Sequence, residues 1–70
     1  MQESIKVNPY THRIYGRSLG KGRFKPLDLR SGKFVVNLMY ATMLPEFEAE
    51  RISNELNEEN QDLEFVTRKI

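Results

Sequence analysis

Six residues between positions 13 and 25 combine positive charge with an aromatic ring, which is the chemistry that binds nucleic acid. They are Arg13, Tyr15, Arg17, Lys21, Arg23 and Lys25. Alternate residues of a β-strand project from the same face, so Arg13, Tyr15 and Arg17 should project together. Arg23 and Lys25 should do the same on a partner strand, with Lys21 at the tip. The pattern predicts a basic two-stranded ribbon, whose cations hold phosphates while Tyr15 stacks on a base or lies against a sugar.

The same basic residues have two other interpretations. Edge strands carry Lys and Arg simply to prevent aggregation, which would make these residues an ordinary solvated surface. The second alternative is a protein-interaction module or a homodimer, in which a basic hairpin meets an acidic helix or two edge strands pair. Phe47 is its candidate interface residue, because it falls nearly opposite the apolar stripe of a regular helix. In a simpler alternative, the Phe47 side chain folds back onto Met43 or Leu44.

The charge of the chain is divided by position, which favours a polyanion as partner. Residues 1–40 contain eight Lys or Arg and two Asp or Glu, a net charge of +6. Residues 41–70 contain three basic and eight acidic residues, a net charge of −5. The total of +1 therefore hides a dipolar molecule, with a candidate polyanion-binding side and an acidic, solvated side.

No arrangement of residues predicts catalysis or a cofactor. There is no Cys, and His12 is the only histidine, so a thiolate nucleophile is excluded and a lone His near a turn is expected at the surface. Gly20-Lys21-Gly22 lacks the spacing of a Walker loop and precedes a strand. The carboxylates of the acidic segment lack histidines or an EF-hand glycine beside them. We expect a protein that is not an enzyme and has no cofactor, metal or small-molecule substrate.

The secondary-structure elements predicted to position these residues follow the order β-β-β-α-β. Arg13 to Leu29 predicts a hairpin, with Gly20 and Gly22 supplying the positive φ of its turn. Phe34 to Met43 is the strongest strand signal, and because both its faces are apolar we expect it to be central. Ile5 to Val7 is at most one further short strand.

A helix and a last strand complete the pattern. Pro45 to Glu59 predicts a helix that begins with proline and buries a thin apolar stripe, formed by Ala49, Ile52, Ser53 and Leu56. Leu63 to Arg68 reads as a strand, parallel to the Phe34 strand if the two share a sheet. The sequence predicts an α+β fold: a mixed, mostly antiparallel sheet of three to five strands with one helix on one face.

Length and composition predict a single domain, residues 1–70, in the cytoplasm. The lack of Cys is typical of a reducing compartment. The first residues lack the apolar stretch of a signal peptide, and the longest apolar-rich run is far shorter than the ~20 residues that span a bilayer. We therefore expect no membrane partner.

Several short segments resemble small uncharacterised proteins from phages and conjugative elements of Gram-positive bacteria. They are Tyr15-Gly16-Arg17-Ser18, Arg23-Phe24-Lys25-Pro26-Leu27-Asp28, Glu48-Ala49-Glu50 and Arg68-Lys69-Ile70. The resemblance spans most of the chain. It implies a prophage or mobile-element setting, and it carries no assigned activity or site residue.

Overall fold

The computed structural model describes residues 9–70, and its fold is an antiparallel sheet of five strands with one helix. The order β-β-β-α-β and the α+β class predicted from the sequence are confirmed, with a further short strand before the helix. The possible strand at Ile5 to Val7 lies outside the described residues. The elements are β1 (His12–Ser18), β2 (Lys21–Asp28), β3 (Lys33–Phe34), β4 (Met43–Leu44), α1 (Glu46–Glu59) and β5 (Leu63–Lys69).

β1 is the central strand of this sheet. β5 pairs with β1 along its whole length, from His12 opposite Lys69 to Ser18 opposite Leu63. Two strands pair with the other edge of β1: β2 pairs with Tyr15–Ser18, and β4 pairs with His12 and Arg13. β3 then extends the sheet beyond β2. All of these neighbouring pairs are antiparallel. β4 and β5 both run antiparallel to β1, so they are parallel to each other across it, as predicted for the strands before and after the helix. β3, which contains Phe34, runs antiparallel to β5, so the predicted parallel direction is wrong for that end of the segment.

The predicted central strand from Phe34 to Met43 is also wrong. Only Phe34 and Met43 at its two ends belong to strands, and Leu38–Tyr40 forms a short 3-10 helix. The Asn37 side chain caps this turn by accepting a hydrogen bond from the Met39 amide at 2.9 Å. Val36 is fully exposed and Met39 is 78% exposed.

The physical reason is that β1 has no edge left for a ten-residue strand. Its two edges are already occupied by β5 on one side and by β2 and β4 on the other. An apolar run on both parities is typical of a strand buried on both faces. In this molecule α1 is the only α-helix of the described residues and covers one face of the sheet, so that no strand needs two apolar faces.

The core lies between α1 and the face of the sheet that carries Ile14, Leu27 and Phe65. Ala49 of α1 completes the buried cluster, and Ile52 and Leu56 pack against it half-buried. Ser53 is buried as well, so the stripe predicted from the helical spacing is confirmed. Pro45 is the N-cap rather than the first helical residue. Among residues 9–70, the structure contains no candidate for a membrane-spanning helix.

Asn57 of α1 closes the outer edge of β5. The Phe65 amide donates to Asn57 Oδ1 at 2.7 Å, and Asn57 Nδ2 donates to the Phe65 carbonyl oxygen at 3.0 Å. The side-chain amide thus makes the two hydrogen bonds that a neighbouring strand would make. Since edge strands pair readily with other chains, this contact both anchors α1 to the sheet and blocks strand addition at Phe65.

We expect Asn57→Ala to lower the free energy of unfolding by about 1–3 kcal/mol, because two backbone groups of β5 lose their partners. Urea unfolding of the variant and the wild type measures the difference. Asn54→Ala is the matched control, since Asn54 is exposed on the same helix and should change stability by less than about 0.5 kcal/mol. Equal stability of the two variants would show that the Asn57–Phe65 bonds contribute nothing.

Candidate nucleic-acid interface

The face of the sheet opposite α1 carries cations and aromatic rings, and we call it the open face. Burial alternates along β1: Ile14 and Gly16 are buried, whereas Arg13, Tyr15 and Arg17 between them are half-buried. The predicted grouping of Arg13, Tyr15 and Arg17 on one face, with Ile14 and Gly16 inward, is confirmed. The open face consists of Arg13, Tyr15, Arg17, Phe24 and Arg68.

Guanidinium groups and rings alternate across the open face. Arg17 lies over the Phe24 ring, 4.2 Å from its centroid. Arg68 lies 5.3 Å from the Phe24 centroid and 4.8 Å from that of Tyr15. Each such contact contributes about 0.5–1 kcal/mol at an exposed site. They hold the Arg68 guanidinium over the Tyr15 ring, so that a base approaching Tyr15 meets the guanidinium first.

Arg13 and Arg68 lie directly opposite each other on β1 and β5. No carboxylate of the described residues is within salt-bridge distance of either guanidinium. The Arg13 Nε is buried and has no hydrogen-bond partner. Like charges directly opposite destabilise a sheet, and an orphaned buried donor adds to the cost. The pair is therefore a local excess of positive charge with unused donors.

Arg17 differs from these two because it already has partners. Its Nε donates to Glu64 Oε2 at 2.7 Å and its Nη1 donates to the Gly22 carbonyl oxygen at 3.0 Å. The same Glu64 oxygen accepts from the Gly20 amide at 2.8 Å. Arg17 and Glu64 thus fix the hairpin turn, where Gly20 and Gly22 have the predicted positive φ. Phosphate binding by Arg17 remains a prediction, and it would use the guanidinium N–H groups that these bonds leave over.

Arg23 and Lys25 lie on the other side of the hairpin. Tyr15 is opposite Pro26 and Lys25 is opposite Gly16, so Lys25 shares the inward face of Gly16. Together with Arg23 and Lys21 it lines a cleft of about 320 Å³ that we call the hairpin cleft. Its remaining walls include Ser18, Gly22, Phe34 and Leu63.

The basic residues therefore form two sites rather than the single ribbon face that the sequence predicted. The register slips between Gly16 and Ser18, and this irregularity leaves three residues of β2 opposite Arg17. Cross-strand partners share a face, so the pairing of Tyr15 with Pro26 and of Gly16 with Lys25 puts Phe24 on the open face and Arg23 and Lys25 on the opposite face, at the cleft. Spacing along one strand could not reveal this, because it does not give the register between two strands.

Three residues of these sites were missed by sequence reasoning. Arg68 and Phe24 belong to the open face, and Phe34 belongs to the cleft. Arg68 alternates with Val66 and Glu64 on the last strand. This alternation indicates that the three residues share a face, but it does not indicate that Arg68 lies beside Arg13. Phe34 was assigned to a buried strand, so its exposed ring was not considered.

The predictions for His12 and Phe47 have different outcomes. His12 is buried at 8% exposure on the inward side of β1, 2.8 Å from the Thr11 hydroxyl, so its predicted surface position is wrong. Alternation with Ile14 carries it inward. Phe47 is 77% exposed, as the helical spacing predicts, so its ring is not buried against Met43 or Leu44. Its role in a protein interface stays a prediction.

No protein-family model, curated protein or solved structure matches the chain. What the chain binds must therefore be inferred from its own side chains. Among residues 9–70, no three His, Asp or Glu side chains lie close enough together to hold a metal ion.

The hairpin turn should be sensitive to acid through Glu64. The Gly20 amide and then Arg17 lower the pKa of Glu64 below its ordinary value of 4.5 by hydrogen bonding to the charged carboxylate. A depressed folded-state pKa contributes stability above the ordinary pKa and loses it as pH falls through the folded pKa. The contribution is thus present at neutral pH and disappears at pH values below 4.5.

We expect Glu64→Gln to lose less thermal stability than the wild type between about pH 6 and about pH 3, because its side chain no longer titrates. The Glu64→Gln variant should still lose some stability in acid. Asp28 also has a lowered pKa, owing mainly to the hydrogen bond from the Arg30 amide. Melting temperatures across pH give the comparison. Glu55→Gln on α1 is the control and should follow the wild type; a Glu64→Gln profile that also follows it would contradict the assignment.

Proposed function

We propose that this protein is a non-enzymatic accessory protein that binds nucleic acid through its basic hairpin. The observation that carries the proposal is the Arg13–Arg68 pair, two opposed guanidinium groups without a carboxylate partner in the described residues. The cytoplasm and a phage or other mobile element as its setting belong to the same proposal and rest on the sequence alone.

A phosphate group is the ligand that best fits this pair. Its oxygens accept hydrogen bonds from two guanidinium groups at once, often in bidentate geometry, and its charge removes the repulsion between them. Tyr15 and Phe24 lie beside the pair under Arg68, so that bases or sugars next to the phosphate meet apolar, aromatic surface.

The distribution of acidic residues supports the same function. α1 carries most of the carboxylates, and it packs on the opposite side of the sheet from the open face. A polyanion approaching the open face therefore meets Arg13 and Arg68 without facing α1. Glu64 lies opposite Arg17 on β5, and Arg17 already neutralises it at 2.7 Å.

Binding to labelled DNA and RNA should weaken steeply with salt, because phosphate contacts release counterions. Arg13→Gln and Arg68→Gln should each lower the slope of log affinity against log salt by about 0.7–0.9, the value for one lost contact to a single strand or a duplex. Fluorescence anisotropy across salt gives both slopes.

Arg51→Gln is the matched control, since it removes the same charge from the acidic helix, where Arg51 is paired with Glu55. It should leave the slope unchanged. A slope that falls equally in all three variants would mean that only net charge matters. Absence of binding above background at low salt would remove the function altogether.

A protein-interaction module, here a homodimer, is the second candidate function. The exposed apolar side chains of Val36, Met39 and Phe47 favour it, because a solvated domain gains nothing from exposing them. The complementary charges of the hairpin and of α1 would orient a second copy of the chain.

Sedimentation equilibrium tests the dimer, which should have twice the mass of one chain. Phe47→Glu should shift it toward monomer, whereas Asn54→Glu, which adds the same charge on the same helix, should not. Dissociation by high salt would assign the contact to the charges rather than to the apolar residues. A wild-type protein that stays monomeric at every concentration would exclude this candidate.

A further inference from the structure

The hairpin cleft combines the two groups that a single nucleotide needs, cations for the phosphate and an aromatic ring for the base. Lys21, Arg23 and Lys25 are exposed at its rim, and none has a carboxylate within salt-bridge distance in the described residues. Phe34 lines the cleft and is 38% exposed. The volume, about 320 Å³, is at the lower end of the ~300–1,000 Å³ of small-molecule sites.

The Phe34 ring is held in place from one side. It stacks on Phe65 with ring centroids 6.3 Å apart and an interplanar angle of 21°. It also lies over Gly16, where a Cβ atom would come within 2.8 Å of Phe34 Cε1. A ring that is fixed by its neighbours but still exposed toward a cleft costs little entropy when a ligand stacks on it.

We infer that the hairpin cleft receives one unpaired base of a single-stranded nucleic acid, with Phe34 as the stacking surface and Lys21, Arg23 and Lys25 on the adjacent phosphates. This rests on the proposed function and specifies its substrate class. A duplex keeps its base faces stacked on one another, so it cannot offer one to Phe34. Base–aromatic stacking accepts any base, and the cleft is therefore expected to select unpaired strands rather than a sequence.

The test uses a short oligonucleotide with one 2-aminopurine, whose fluorescence falls when the base stacks. Single-stranded DNA, single-stranded RNA, a duplex of equal length and adenosine monophosphate form the four arms. We expect quenching and tight binding with either single strand, and weaker binding without quenching for the duplex. Binding of the mononucleotide as tight as that of the strands would overturn the inference, since the site would then serve a free nucleotide.

Phe34→Leu should reduce single-strand affinity roughly 5- to 150-fold, the equivalent of the ~1–3 kcal/mol of one stacked base, and abolish the quenching. Tyr40→Leu is the control: it removes an exposed ring that lines neither site, and it should bind like the wild type. Because Phe34 also packs on Phe65, a melting curve must show that the variant is folded.

If Phe34→Leu does not fold, the double change Arg23→Gln with Lys25→Gln keeps the inference testable. It leaves the core intact and should lower the single-strand salt slope by about 0.7 for each lost contact. Equal affinity for single strand and duplex, without quenching, would overturn the single-strand inference while leaving nucleic-acid binding intact. No binding in any arm at low salt would instead remove the proposed function itself.

Discussion

The absence of a side chain at Gly16 is the constraint on which the rest of the structure depends. Gly16 is opposite Phe65 in the β1–β5 pair, and a Cβ atom there would lie 2.8 Å from both phenyl rings. Because the Phe65 amide and carbonyl bond to Asn57, they point away from β1, which makes Gly16–Phe65 the closer, non-hydrogen-bonded kind of pair. The ring therefore covers the glycine, an arrangement that stabilises glycine in sheets. Phe34 then stacks on Phe65 at the edge of the cleft.

Local signals were enough to predict the parts of the fold that depend on local physics. The hairpin turn followed from glycines that tolerate positive φ, and both have it. The buried side of α1 followed from the spacing of Ala49, Ile52, Ser53 and Leu56. The strand from Phe34 to Met43 failed because its assignment required a partner on each edge and a layer on each face. Those are properties of the whole sheet, which the apolar content of one segment cannot reveal.

The candidate site could likewise be predicted only where it depends on local properties of a strand. Parity along β1 correctly grouped Arg13, Tyr15 and Arg17, since alternation is a local property of a strand. Which residues of β2 and β5 lie beside them depends on register, and the pairing of Gly16 with Lys25 places Phe24 on the open face and Lys25 at the cleft. The aromatic best placed for a base is consequently Phe34, whereas the Tyr15 ring already carries the Arg68 guanidinium 4.8 Å from its centroid.

Because the cations form two separate groups, only some kinds of polymer can contact all of them. The open face and the hairpin cleft lie on opposite faces of the same two strands, and Arg17 belongs to both. A ligand that reaches both must bend around the edge or the tip of the hairpin. Duplex DNA resists bending on this scale, with a persistence length of about 150 base pairs, whereas a single strand turns freely between successive phosphates. The strand register that separates the basic residues thus favours the same unpaired strand that the exposed ring of Phe34 favours, and the two arguments rest on different contacts.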